Sequence, residues 1–372
     1  MTKPRVLFVA AVSDFVGGAE RSLFDLIANP NIEPVLAVPA EGELSRFARE
    51  RSVETVVYSL RGLPAVKRPF TLRKNLSALR DLVLAARDFR RLARDVRADL
   101  VHSNGLKAHV IVCAAAAFGL KRRVVHFRDI PDTTGEKLVW RFLGLMANRV
   151  VLVTRDCWPF TSSAHKVSVI HNAIVPDLTE APPAASGPLT LGFVGRLYPG
   201  KGLHMLIDWM KHARDAGLDL RMIVRGAYAP GDVEYPAKIE QQVRDLGLGE
   251  HFQFDGFVED RTKLYSGIDL VCVPSINPEP LARSIMEGMS RGLAVVATPT
   301  GGTQDMLVDG VTGYICRDAE RFTEIVRPLF EDRGRLVTLG AAGKEVIIAK
   351  FGMDRLHREI TAVYASCGVV FG

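Results

Sequence analysis

Cysteine is scarce in this 372-residue chain, and what there is stands scattered. Cys113, Cys157, Cys272, Cys316 and Cys367 form no CxxC pair and have no histidine cluster beside them. That spacing excludes a disulfide framework and a structural zinc site, and it fits a reducing compartment. No uncharged run approaches the roughly 18 residues that cross a bilayer. Met1–Arg5 leads straight into an apolar strand pattern, without the long apolar stretch and cleavage site of a signal peptide. The expected location is therefore cytoplasmic, either free or peripheral on the inner face of the cytoplasmic membrane. There is no repeat of fixed period, no low-complexity tract, no GxGxxG dinucleotide fingerprint and no P-loop lysine beside Ser or Thr. An acidic DxD-type cluster is missing too, so no metal is expected.

What is present is a globular composition, 48% hydrophobic and 24% charged, in a chain long enough for two cores. The net charge of +6 divides unevenly. Residues 1–176 carry 27 Lys and Arg against 16 Asp and Glu, whereas the remainder carries 21 against 26. The first part is thus +11 and the second −5. A basic half points to an anionic contact, or simply to a solvated surface of uneven charge.

Apolar strand patterns alternate with helical ones along the whole chain. In the first half they fall at 5–10, 33–38, 55–59, 100–103, 124–127, 150–154 and 167–171. In the second they fall at 189–194, 219–225, 252–254, 270–274 and 294–298. Strand–helix–strand alternation implies a parallel sheet covered on both faces, twice over. Between the halves, 177–188 has the Pro, Ala and Ser content of a linker and hinge. The expected division is 1–176, 189–352 and a C-terminal helix and tail over 353–372. Residues 72–96 carry Leu72, Leu76, Leu79, Val83, Ala86, Phe89, Leu92 and Val96 at three-to-four spacing, with seven Arg and Lys among them. This basic amphipathic helix either packs on a sheet with its arginines in water or lies on an anionic membrane surface.

The densest chemistry lies at Asn277-Pro-Glu279-Pro-Leu-Ala-Arg-Ser-Ile-Met-Glu287-Gly. A strand leads through a loop into a helix whose first amides, near Leu281, Ala282 and Arg283, have no intrahelical partner and suit a phosphate or a sugar hydroxyl. Were the stretch helical throughout, Glu279 and Glu287 would stand roughly 12 Å apart along the axis. A retaining glycosidase needs its carboxyls at about 5–5.5 Å. The two therefore read as ligands for opposite ends of one elongated molecule. Two glutamates at this spacing, followed by glycine and an apolar strand, resemble the signature of the family 4 glycosyltransferases.

That resemblance implies the GT-B fold, an α/β architecture of two Rossmann-like, doubly wound parallel-sheet domains facing each other across a cleft. It covers nearly the whole chain, strongly over 189–315 and more loosely before. Gly195-Arg196-Leu197 and Lys201-Gly202 match the family at the end of the first strand of the second domain, so Arg196 and Lys201 are expected on the diphosphate. Arg225 with Gly226, and Gly256 with Phe257 and Val258, would line the base pocket, and Glu287 would take the ribose hydroxyls. Gly17-Gly18 resembles the family's glycine loop, though a plain strand-to-helix turn is the more frequent explanation of two such glycines. Gly301-Gly302 and Asp309-Gly310-Val-Thr-Gly313 also match, with Asp305 standing where the family usually has Glu. His126, at a strand end, would contact the transferred sugar; its other reading is a histidine satisfied by backbone. His102 and Arg128 are weaker candidates for the acceptor side.

The resemblance implies a retaining transferase that moves a sugar from a nucleotide diphosphate to a glycan, lipid-linked or other hydroxyl acceptor. A metal-independent front-face displacement is the expected route, with His126, Glu279, Arg196 and Lys201 as its catalytic groups. The donor is of UDP, GDP or ADP type and no separate cofactor is required. An epimerase or hydrolase of the same fold would consume donor without acceptor. A nucleic-acid-binding protein would show strongly salt-dependent affinity, but it leaves the Glu, Arg and Lys pattern unexplained.

Overall fold

A computed structural model describes residues 3–14, 17–61, 72–160, 164–176, 186–228 and 233–371, and for 72–77 the backbone only. The expected linker falls largely outside these residues. The chain divides into two units, Met1–Ala173 with Met353–Gly372, and Ile174–Gly352.

The first unit is built on a seven-stranded sheet. Its strands are β1 (Arg5–Ala10), β2 (Glu33–Val38), β3 (Glu54–Val57), β4 (Leu100–Asn104), β5 (Arg123–Phe127), β6 (Arg149–Leu152) and β7 (Val167–Val169). They lie in the order β3-β2-β1-β4-β5-β6-β7, all parallel. Val6 to Ala10 are all buried, as a strand covered on both faces requires. The crossovers carry α1 (Gly18–Ile27), α2 (Glu43–Arg49), α3 (Leu72–Asp95), α4 (Leu106–Ala114) and α5 (Thr134–Met146).

One core layer joins α1 and α2 to the sheet through Leu23, Leu26 and Leu44. The other sets Ala85, Ala86, Phe89 and Ala93 of α3 against Ile111 and Val112 of α4. The expected apolar stripe of α3 therefore divides: Ala86 and Phe89 are buried, but Leu79 and Val83 are 58% and 45% exposed. The C-terminal part of the helix packs as a sheet-covering helix does, while its earlier turns leave apolar groups in water.

The second unit holds β8 (Leu189–Val194), α6 (Leu203–Asp215), β9 (Leu220–Arg225), α7 (Glu234–Asp245), β10 (Phe252–Gly256), β11 (Leu270–Val273), α8 (Arg283–Ser290), β12 (Ala294–Ala297), α9 (Thr303–Met306), β13 (Tyr314–Ile315), α10 (Ala319–Glu331) and α11 (Gly334–Lys350). Its strands run β10-β9-β8-β11-β12-β13, again all parallel. Trp209 of α6 packs near Phe322 of α10 over this sheet, with ring centroids 5.7 Å apart. The last helix, α12 (Met353–Ser366), belongs to the first unit, where Leu356, Ile360 and Tyr364 are buried beside α1. The His357 ring bonds the Asp25 carbonyl at 2.8 Å and the Asn29 amide donates to Thr361 at 3.0 Å.

Expected and observed strand ends differ by one or two residues. The 55–59 pattern becomes β3 at Glu54–Val57, although the Tyr58 amide still bonds Val38 at 2.9 Å. β13 has no counterpart in the sequence reading, because two residues are too short to show a period.

In both sheets the order reverses once, between β1 and β4 and between β8 and β11. Ligand sites of open parallel sheets form beyond the carboxyl ends of strands at such a reversal. Gly17 and Gly18 follow β1, His102 lies on β4, Gly195 and Arg196 follow β8, and Glu279 follows β11.

Candidate functional site

In the second unit three loops meet at the strand ends. Residues 195–202 follow β8, 274–282 follow β11 and 298–302 follow β12. The Ile276 and Asn277 amides both donate to the Gly200 carbonyl, at 2.9 and 3.1 Å, and the Gly302 amide donates to the Glu279 carbonyl at 3.1 Å. Only glycine allows this approach. Gly202 has φ +73° and a Cβ there would stand 1.9 Å from the Pro274 carbonyl oxygen. Gly301, at φ +52°, would put one 1.9 Å from that of Glu279.

The loops bring Lys201 and Glu279 together as an ion pair, each side chain about one-fifth exposed, and the Ser275 hydroxyl donates to the other carboxylate oxygen of Glu279. Arg196 stands exposed on the same β8 loop. Helix α8 begins just beyond Glu279, with Ala282 as its N-cap and no side chain capping it. Leu281 and Ala282 are buried, so what the helix start offers a ligand is backbone.

Glu287 is not on that loop but one helical turn inside α8, and its carboxylate is almost buried. Arg261 pairs with it, Arg283 lies 3.6 Å away on the preceding turn, and the Tyr265 hydroxyl donates at 3.0 Å. Burial, then the Glu287 charge, pushes the Tyr265 phenol well above its ordinary range, so it remains a donor. The expected axial spacing of the two glutamates does not apply, because α8 starts at Arg283 and Glu279 lies before it. They occupy two separate clusters, Lys201–Ser275 around one and Arg261–Tyr265–Arg283 around the other. Arg261, Tyr265 and Ser275 were not singled out from the sequence. They sit outside any glycine motif, and only the fold brings them to the glutamates.

Arg225 is buried, and two of its three guanidinium nitrogens are bonded within the unit. Nε donates to Asp255 at 2.8 Å, and Nη1 reaches the carbonyls of Lys263, Leu264 and Ser266 at 2.9, 3.1 and 2.8 Å. It ties β9 to β10 and to the segment before β11. Backbone bonds continue across the strand ends, from Gly195 to Arg225 at 3.0 Å and from Gly226 to Gly256 at 2.8 Å. Gly256 and Phe257 are exposed beyond them and Val258 is half-buried.

The strand ends of the first unit hold a different group. His102 and His126 are buried with ring nitrogens 3.2 Å apart, and the Tyr364 hydroxyl of α12 lies 2.8 Å from the other nitrogen of His102. His109 stands 2.8 Å from the Ser103 hydroxyl. Arg128 donates to Asn172 at 2.7 Å and also to Asn104. Burial, followed by the Arg128 charge, holds His102 and His126 well below the ordinary imidazole range and pushes His109 down to about 3. All three rings are neutral at pH 7. The Nε2 of His126 is buried without a hydrogen-bond partner among the described residues. Gly17 caps α1, its amide donating to the Glu20 carboxylate at 2.8 Å, and Gly18 is the first residue of that helix. Among the described residues no three of His, Cys, Asp and Glu are grouped to hold a metal ion, and no helix is long and apolar enough to cross a membrane.

Comparison with known proteins places this geometry. The family model of glycosyl transferases group 1 matches residues 176–346. Spore coat protein SA of Bacillus subtilis (strain 168) is 29% identical over 179 residues, 46% of this chain and 47% of that protein. The lipopolysaccharide core biosynthesis glycosyltransferase LpsE of Rhizobium meliloti (strain 1021) is 28% identical over 184 residues, 49% of this chain and 51% of its own. The chain thus spans about half the length of the curated relatives it matches. Among solved structures, Anabaena Alr3699/HepE in complex with UDP superposes with a TM-score of 0.82 at 23% identity, covering 97% of this chain and 100% of that one. Sucrose-phosphate synthase (tll1590) from Thermosynechococcus elongatus does so with 0.77 at 17%, covering 97% and 98%. Residues 176–346 match the glycosyl transferases group 1 model, and the two parallel-sheet units have the GT-B fold.

Proposed function

We propose that the protein is a retaining glycosyltransferase of family 4 that takes a sugar from a nucleotide diphosphate and passes it to a hydroxyl acceptor. The observation that carries this reading is the Lys201–Glu279 pair, held by glycine-dependent loop contacts directly before the uncapped start of α8. An ammonium and helix-start amides suit a diphosphate, whose charge grows as the sugar leaves. Arg196, on the same loop, adds a second cation.

In this reading Glu287 accepts the ribose hydroxyls, with Arg261 and Tyr265 holding its carboxylate in place, and Gly256 to Val258 take the base. Arg225 then supports that pocket by binding the chain beneath it, and does not touch the nucleotide. The neighbour solved with UDP, and its form with UDP and glucose, support a uridine nucleotide as the first donor to test.

The acceptor oxygen bonds the anomeric carbon on the face from which the phosphate oxygen departs, and that oxygen takes the acceptor proton. Configuration is then retained and no carboxylate is glycosylated. Neutral His126, with its Nε2 unpartnered, would accept or donate one hydrogen bond to the transferred sugar. The first unit, with Gly17 and Gly18 at its β1 end, would bind the acceptor. Its charge of +11 over residues 1–176 and the arginines of α3 favour a lipid-linked or otherwise anionic acceptor at the cytoplasmic membrane face. The lipopolysaccharide core transferases among the relatives point the same way.

The test is a thermal-shift series with UDP, GDP, ADP and CMP sugars, with and without EDTA, followed by NMR of the product. Stabilisation by one diphosphate, lost in Glu287→Ala and unchanged by EDTA, supports the donor site. No shift with any of them, or an inverted anomeric centre, overturns the corresponding part.

A further inference from the structure

Helix α5 is apolar on both of its sides. Trp140, Leu143 and Gly144 are buried, with Trp140 stacked on Phe127 at a centroid distance of 4.9 Å. On the opposite side Leu138, Phe142 and Leu145 recur at four and three residues, and they are 62%, 61% and 61% exposed. Val139 beside them is 41% exposed. A helix on the outside of a sheet ordinarily carries charged groups on its outer face, and a contiguous apolar stripe there marks a surface that something covers. The charged residues among these turns are mainly cationic: Lys137 and Arg141 are on the helix, with Glu136 alone opposing them. α4 contacts α5, and α3 contacts α4, so the arginine-rich α3 flanks the same face. Over its described side chains α3 adds Arg80, Arg87, Arg90, Arg91 and Arg94 against three aspartates, and exposed Leu79 and Val83.

We propose that α5 is an interfacial membrane-docking helix, lying in the plane of an anionic bilayer. Leu138, Phe142 and Leu145 enter the acyl boundary, while Lys137 and Arg141 reach the headgroups. Charge decides between occupants. A second copy of this chain would set one strongly basic surface against another, whereas anionic lipid headgroups complement it. The helix is 13 residues, about 20 Å long at 1.5 Å per residue, which suits lying on a membrane and not spanning one. This inference rests on the membrane-face reading given above and deepens it: α3 supplies charge, and α5 supplies the insertion. It does not depend on the donor assignment.

The experiment is co-sedimentation of the full chain with vesicles of phosphatidylcholine alone and of phosphatidylcholine with phosphatidylglycerol. The unaltered protein should bind the anionic vesicles selectively. The triple variant Leu138→Ser, Phe142→Ser, Leu145→Ser should bind at least about tenfold less, with its melting temperature and nucleotide-induced shift unchanged. Lys137→Gln with Arg141→Gln should weaken binding several-fold. Phe142→Trp, which keeps the stripe apolar, should shift its emission to the blue on anionic vesicles and be quenched by brominated acyl chains. Equal binding by the triple variant, or a Phe142→Trp emission blind to vesicles, overturns the proposal. So does a concentration-dependent dimer, without vesicle binding, that the triple variant dissolves. Selective vesicle binding in a protein that shows no nucleotide shift would sink the donor reading and leave this one standing.

Discussion

The strand ends of the two units solve the same topological problem with opposite electrostatics. In the second unit, charges meet charges: Lys201 with Glu279, Arg261 with Glu287, Arg225 with Asp255. In the first, the rings of His102, His109 and His126 are buried and neutral, next to Arg128. A site that holds a charged diphosphate gains from ionised groups fixed before the ligand arrives. A site that meets a sugar or a hydroxyl needs donors and acceptors that add no net charge. The difference therefore fits the proposed division in which the second unit takes the nucleotide and the strand ends of the first meet a sugar or a hydroxyl group.

The largest expected effect comes from removing buried Arg225, whose ion-pair partner Asp255 is itself exposed. Arg225→Ala would leave Asp255 and three carbonyls without their shared donor. A loss of about 3 kcal/mol in unfolding stability, read by denaturant titration, is expected from three carbonyl oxygens losing a charged donor. A loss under about 1 kcal/mol would mean Arg225 is not the tie between β9 and β10.

Next in size is Lys201→Ala. Turnover should fall about 10²–10³-fold, as when one preorganised stabilising group is removed, with little change in melting temperature. If turnover survives, the cation of this loop is not on the leaving group, and the comparison loses its functional meaning.

Acid should act on the first unit. Unfolded histidine titrates near pH 6.5, while His109 in the fold titrates at about 3. Between those values the unfolded chain binds more protons than the folded one, so stability is complete above about pH 6.5 and falls as pH falls. For His109 alone the loss at pH 5 is about 2 kcal/mol, and His102 and His126 act in the same direction. Hydrogen exchange at pH 5 should accelerate for the β4 and β5 amides relative to β8 and β9. Equal acceleration in the two units would remove the contrast.

The smallest effect is at the start of α1. Glu20→Ala removes the carboxylate that accepts from the Gly17 amide and should cost about 1 kcal/mol or less. A greater loss of acceptor affinity than of stability would place Gly17 and Gly18 in ligand binding.

Much of the fold was legible before any coordinates. Runs such as Val6–Ala10 and Leu270–Val273 are apolar at consecutive positions because parallel strands are covered on both faces, and that pattern survives in one dimension. Glycine motifs were legible for a related reason: Gly202 and Gly301 stand where backbones nearly touch, a demand no other residue meets. The rest depended on contacts distant in sequence. Helix propensity does not tell Leu79 from Phe89 on α3, but in the fold Phe89 is buried and Leu79 is exposed. Arg225 is expected at the base pocket by resemblance, and only the fold shows its Nη1 bonded to the carbonyls of Lys263, Leu264 and Ser266.

The sequence by itself determined two parallel-sheet domains and the charge division between halves, since each follows from periodicity or composition along the chain. The tertiary structure decided which charges pair, which histidines lose their protons to burial, and which face of α5 stays uncovered. Those outcomes depend on distance and solvent exclusion between residues as far apart as His102 and Tyr364, and such separations leave no trace in local sequence.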